Sequence, residues 1–126
     1  MTNIPKYYKK DINGKVTEIS KDTKHVFCYN NNLTKLKLPK SVGDVYCYNN
    51  KLTKLELSKG VKDVYCRDNK LTELKLPKSV KFVSCDNNNL TKLELSKGIK
   101  LVYCDYVKDI SKQFNKVEKK ITIYIK

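Results

Sequence analysis

Five cysteines, one histidine, nine tyrosines and a scattering of aspartates are the residues of this 126-residue chain whose side chains can do chemistry. A thiol acts as nucleophile, metal ligand or redox partner only as an accessible thiolate. An odd number of cysteines also excludes a fully paired disulfide framework. Cys28, Cys47, Cys66, Cys85 and Cys104 follow one another at intervals of 19 residues. Stacked thiols at that interval would lie near one another, as a metal or redox site requires. Their slot in the pattern is an inward one, however, where cysteine packs as a small hydrophobe. His25 has no serine or cysteine nucleophile evidently beside it, so spacing assembles no catalytic triad. No C-x-x-C, H-E-x-x-H, glycine-rich phosphate loop or EF-hand pattern is present. Clustered carboxylates on one face are a lesser candidate for a divalent cation. The residues point away from catalysis, and they call for no cofactor and no metal.

The elements that position these residues follow from the same 19-residue interval. Aligned on the cysteines, the chain reads VFCYNNNLTKLKLPKSVGD, VYCYNNKLTKLELSKGVKD, VYCRDNKLTELKLPKSVKF and VSCDNNNLTKLELSKGIKL, then a partial copy, VYCDY. Four full copies exceed the three or so that a stacked array needs. A double period of 38 residues shows as well, because LKLPKSV alternates with LELSKG followed by Val or Ile. Val42, Val45, Cys47, Asn50 and Leu52 have the spacing L-x-x-L-x-L-x-x-N-x-L, with cysteine in one leucine slot. On that spacing the chain resembles leucine-rich-repeat proteins. Its L-T-x-L-x-L-P tail is most similar to the short, helix-poor repeats of bacterial effector and giant-virus proteins. The resemblance covers residues 23–106. It implies a solenoid with a parallel β-sheet on one face and an extended, polyproline-like return side. The fifth copy has Val107 in the asparagine slot, so the array ends there.

One copy can also be read without the family. Alternation puts Val45 and Cys47 on the inner side of a short strand, leaving Asp44 and Tyr46 outside. Copies of that strand stack in register at about 4.8 Å. Asn31, Asn50, Asn69 and Asn88 fall at the turn leaving the sheet, where their amides can bond the backbone of neighbouring coils. Leu52, Leu55 and Leu57 alternate inward again on the return. Nineteen residues leave no room for a helix there, and Pro39 and Pro77 suit an extended path. Outward positions form columns, one of them Lys37, Glu56, Lys75 and Glu94.

The ends of a solenoid expose core and need covering. The organisation expected is one leucine-rich-repeat domain over 1–126, with an N-terminal cap at 1–22 and a C-terminal cap at 107–126. Asn13-Gly14 between alternating segments predicts a β-hairpin, with Tyr8, Ile12, Val16 and Ile19 available for packing. After Asp109 as candidate N-cap, Ile110, Phe114, Val117 and Ile121 recur at helical spacing, and ITIYIK reads as a strand. If unpaired, that last strand is a candidate for self-association.

A net charge of +14 normally raises nucleic acid or an anionic membrane as partner. Mapped onto the repeat, the charge avoids the sheet. There, Lys24, Lys62, Arg67, Lys81 and Lys100 balance Asp44, Asp63, Asp68, Asp86 and Asp105. The return side carries eleven lysines against Glu56, Glu73 and Glu94. Every basic residue but Arg67 is lysine, which suits a solvated face better than the bidentate recognition that arginine provides. Function is therefore expected on the sheet. Phe27, Tyr46, Tyr65, Ser84 and Tyr103 form one outward column, and Tyr29, Tyr48, Arg67, Asp86 and Asp105 the next. With Phe82 and the flanking Asp44, Asp63 and Asp68, they make a candidate protein-binding face, tyrosine and arginine being the commonest hot-spot residues. The alternative is an electrostatic nucleic-acid or anionic-membrane binder using the outer lysines. No run of apolar residues reaches membrane-spanning length and no signal-type segment opens the chain, so the expected location is the cytoplasm. For a protein of viral or effector origin that would be a host cell's cytoplasm.

Overall fold

The computed structural model describes residues 8–10, 16–108, 110–116 and 122–125. It is a parallel β-solenoid of about five turns, with successive strands spaced by 19 residues. A strand of three or four residues forms wherever the sequence reads Val-x-Cys: His25–Phe27 (β3), Asp44–Tyr46 (β4), Asp63–Tyr65 (β5), Phe82–Ser84 (β7) and Leu101–Cys104 (β9). These pair in parallel with no slip, so that Val26, Val45, Val64, Val83 and Val102 lie side by side. A sixth strand, Thr122–Ile125 (β10), joins the far edge parallel to β9, with Tyr124 opposite Tyr103. The sheet order is β10-β9-β7-β5-β4-β3.

The core is a stack of identical layers. The five strand valines, the five cysteines and Leu33, Leu52 and Leu71 are fully buried. Leu36, Leu55, Leu74 and Leu93 close the same core from the return side. A layer of this kind excludes water only when another lies on each side of it, which is why the strands can be so short.

Two asparagine columns turn the chain out of the sheet. The buried one bonds backbone: the Asn69 amide donates to Cys47 O and Cys66 O at 3.0 Å, and its Oδ1 accepts from Leu52 N at 3.0 Å. Asn50 and Asn88 repeat these bonds one coil earlier and later. The outer column, Asn30, Asn49, Asp68 and Asn87, is left-handed, with φ between 55° and 58°. Asn and Asp tolerate that region better than other residues with a Cβ.

The return side is extended, as its length requires, and part of it pairs as a second sheet. Glu73–Lys75 (β6) runs parallel to Lys92–Glu94 (β8), and Lys37 bridges Glu56. The charge columns thus fall in register, Lys37 beside Glu56 and Lys75 beside Glu94. Before the array, Tyr8–Lys10 (β1) and Val16–Ile19 (β2) pair antiparallel, and Ile19 packs on the core. The Asn13-Gly14 turn, Ile12, Asp109, Val117 and Ile121 lie outside the described residues, as do the side chains of Tyr8, Val16 and Phe114. The segment expected as a helix after the array is a 3₁₀ helix, Ile110–Lys116. Its Gln113 amide bonds the outer edge of β8, accepting from Leu95 N at 2.6 Å and donating to Leu93 O. A side chain thereby takes the place of the next coil's backbone.

Candidate functional site

The outward positions of the main sheet bring most of the expected face together. Parallel, in-register strands place equivalent residues on neighbouring coils near 4.8 Å apart, which is close to the stacking distance of aromatic rings. The rings therefore stack on one another. Phe27 lies on Tyr46 with centroids 4.7 Å apart, Tyr46 on Tyr65 at 4.4 Å, and Tyr29 on Tyr48 at 4.4 Å, each pair within 15° of parallel. Arg67 continues the second row, its guanidinium carbon 4.9 Å from the centre of the Tyr48 ring.

Ser84 interrupts the first column, and the structure repairs the gap from the neighbouring one. Phe82 leans across, 4.6 Å from Tyr65 and 6.1 Å from Tyr103, and Ser84 is left only 7% exposed. Ser84 is thus the one member of the predicted column that does not reach the surface. Beyond Tyr103 the row ends in Tyr124, at 4.6 Å. Alternation in ITIYIK, where isoleucines flank a tyrosine as valine and cysteine do in V-Y-C, is the signal in the sequence for Tyr124. The result is an unbroken ridge, Phe27-Tyr46-Tyr65-Phe82-Tyr103-Tyr124. Because ring faces are spent on each other, it offers ring edges and phenol oxygens to solvent. Burial, with the stacked neighbour second, pushes the phenols of Tyr48 and Tyr65 above the usual range.

The acidic residues divide into two sets. Asp44 and Asp63 face each other across β4 and β5, beside Tyr46 and Tyr65. Partial burial and the adjacent Asp44 carboxyl raise the Asp63 carboxyl above its ordinary 3.8, while Lys62 opposes the shift. His25 Nδ1 lies 2.6 Å from Asp44 Oδ2 and screens that side of the pair. The other acids are tied into the scaffold. Both oxygens of Asp68 are engaged, one by Arg67 Nη1 at 2.9 Å and the other by Asn87 Nδ2. Asp105 accepts from Asn88 N at 3.1 Å, the bond that Asn50 Oδ1 makes to Asn31 N, and so substitutes for the asparagine missing at Val107. Asp86 accepts from Ser84 Oγ at 3.1 Å.

Comparisons with protein-family models, curated proteins and solved structures find no match to this chain. What the site can do must therefore come from its geometry. The cysteines face inward, and burial pushes Cys28 up to about 12 and Cys104 to about 11 and raises Cys47, Cys66 and Cys85 as well. At neutral pH these thiols are neither nucleophiles nor ready ligands. Among the described residues no group of three His, Cys, Asp or Glu side chains converges as a metal site would need.

On the opposite side all eleven return-side lysines are exposed. A groove of about 640 Å³ opens there, lined by the return segments of the second, third and fourth coils, those of β6 and β8 included. Its charged lining alternates Lys54, Glu56, Glu73, Lys75, Lys92 and Glu94, so it favours neither sign. No helix among the described residues is long and apolar enough to cross a membrane.

Proposed function

We propose that this chain is a short-repeat member of the leucine-rich-repeat class that acts as a non-catalytic protein-binding module, gripping its partner on the aromatic and acidic sheet face. One observation carries the reading: the ridge Phe27-Tyr46-Tyr65-Phe82-Tyr103-Tyr124 runs across every strand of the main sheet, with the Asp44–Asp63 pair alongside. Stacked rings are already ordered, so a partner covers large, rigid surface at little entropic cost. The carboxylate pair supports the same reading. Like charges facing each other across two strands cost stability, and sequences break such local rules chiefly where function demands it. A partner contributing lysine or arginine to that spot relieves the repulsion. The leucine-rich-repeat assignment draws support from the L-x-x-L-x-L-x-x-N-x-L spacing, complete in three copies and in a fourth but for Thr23 in the first slot, and from corner asparagines that bond their own coil and the one before. Five unpaired thiols suit a reducing compartment, and we place the protein in the cytoplasm, its own or a host's.

Replacing Tyr46, Tyr65 and Tyr103 together with alanine tests the reading. Capture of the partner from the native cell is expected to be lost while the circular dichroism spectrum of the sheet persists. Capture that survives these changes and collapses between 50 and about 200 mM salt, as polyanion binding does, would instead assign function to the outer lysines.

A further inference from the structure

The aromatic ridge ends in a feature of its own. Tyr103 on β9 and Tyr124 on β10 are stacked with planes 9° apart, held there by the pairing of their strands. They are 37% and 53% exposed, whereas Tyr29, Tyr48, Tyr46 and Tyr65 in the other tyrosine stacks are half-buried. The thiols of all five cysteines, usually among the first targets of an oxidant, are shut inside the coil and protonated. An oxidant arriving from solvent therefore meets phenols, and among the described residues this pair is the most accessible one already in contact.

We propose that Tyr103 and Tyr124 are an oxidative cross-linking site, joined carbon to carbon by a one-electron oxidant such as the peroxide-activated haem of a peroxidase, which sews β10 to the last coil. Each phenol gives up one electron and its hydroxyl proton. The two phenoxyl radicals couple through ring carbons ortho to oxygen, and the hydrogen on each of those carbons returns to its phenol oxygen. Two hydrogens leave in all, and one hydrogen peroxide becomes two waters. Parallel rings 4.6 Å apart present ring carbon to ring carbon, so the two radicals form already in contact. The link closes the chain from residue 103 to residue 124 and keeps the edge strand from fraying, as a disulfide across a loop of that length would.

The full chain, dilute and treated with a haem peroxidase and hydrogen peroxide, tests this. Trypsin should then release LVYCDYVK joined to ITIYIK, lighter by two hydrogens, with the blue fluorescence of dityrosine. The melting midpoint should rise by roughly 5 °C. Tyr124→Phe and Tyr103→Phe, which keep the ring stack, should each abolish that joined peptide. Tyr106→Phe should retain it, although Tyr106 is on the same peptide and is more exposed at 68%. The proposal is overturned if the joined peptide never forms, if the only product links two chains, or if it survives Tyr103→Phe and disappears with Tyr106→Phe.

Discussion

At the scale of single residues, polarity and burial divide the labour between columns that look alike. Asn49 and Asn50 are neighbours, yet Asn50 is buried with its amide on backbone carbonyls while Asn49 is exposed and left-handed. The two kinds of column should fail differently. Asn69→Ala leaves Leu52 N without a partner and takes one of two amide donors from each of Cys47 O and Cys66 O, which keep Asn50 and Asn88, and should cost about 1–3 kcal/mol in urea unfolding, as a buried unmet group does. Asn49→Ala loses an exposed bond and adds left-handed strain, for about 1–2 kcal/mol. The thiols make a second prediction. Their folded pKa values lie above the ordinary 9.0, reaching about 11 at Cys104 and about 12 at Cys28. Above pH 9 the unfolded chain therefore loses thiol protons that the folded chain keeps, and stability falls as pH rises through that window. Tyr48 and Tyr65 shift in the same direction and add to the fall. The urea midpoint should be flat with respect to these groups up to about pH 8 and drop between 9 and 11. Cys47→Ala should make that drop shallower, and an equal drop in the variant would remove the thiols from the explanation.

At the scale of the element, most of what the coil does was readable from its period. Alternation around Val45 and Cys47 placed the core, the 19-residue length excluded a return helix, and the corner asparagines were recognisable from their spacing alone. What period could not supply was the behaviour of the exceptions, because these depend on contacts between coils. Ser84 looked like a gap in the aromatic column until Phe82 was seen to fill it, and Asp105 looked like a ligand-facing acid until it proved to replace a missing asparagine. Gly60, in the SKG form of the turn, has φ 115°, whereas Gly43 in the first copy stands in ordinary space, the nearest atom to an added Cβ being Lys24 O at 3.7 Å. Gly60→Ala should therefore cost about 1 kcal/mol or more and Gly43→Ala far less, as thermal unfolding would resolve. The like-charged pair predicts the opposite sign. Asp63→Asn should stabilise the isolated protein at neutral pH by about 0.2–1 kcal/mol, because it removes repulsion across adjacent strands. If the pair serves a basic partner, the same change should weaken capture, and a variant that is both more stable and equally good at capture would dissociate the carboxylates from function.

At the scale of the whole molecule, charge and stacking pull in different directions. A chain of net +14 repels itself, and the exposed lysines that cause this lie mostly on the return side. Salt screens exposed charges beyond about 8 Å at physiological ionic strength and beyond about 3 Å at 1 M. Raising the salt should therefore increase the melting midpoint, against the loss expected for a fold held by surface ion pairs, since Lys37–Glu56 and Lys75–Glu94 are register neighbours worth at most about 1 kcal/mol each. Binding should sort by the same variable. Contacts made by rings on the sheet face bury apolar surface and keep their strength in salt, while contacts of the outer lysines with phosphate release counterions and weaken with every increment. A single titration from 50 mM to about 500 mM salt thus reads both faces at once. The reading argued above requires a partner retained at the top of that range by the unaltered chain and lost there when Tyr46, Tyr65 and Tyr103 are replaced. A partner released by salt alone, with the protein meanwhile growing more stable, would mean that the solenoid is a rigid carrier for its lysines and that the aromatic ridge serves only to hold the coils together.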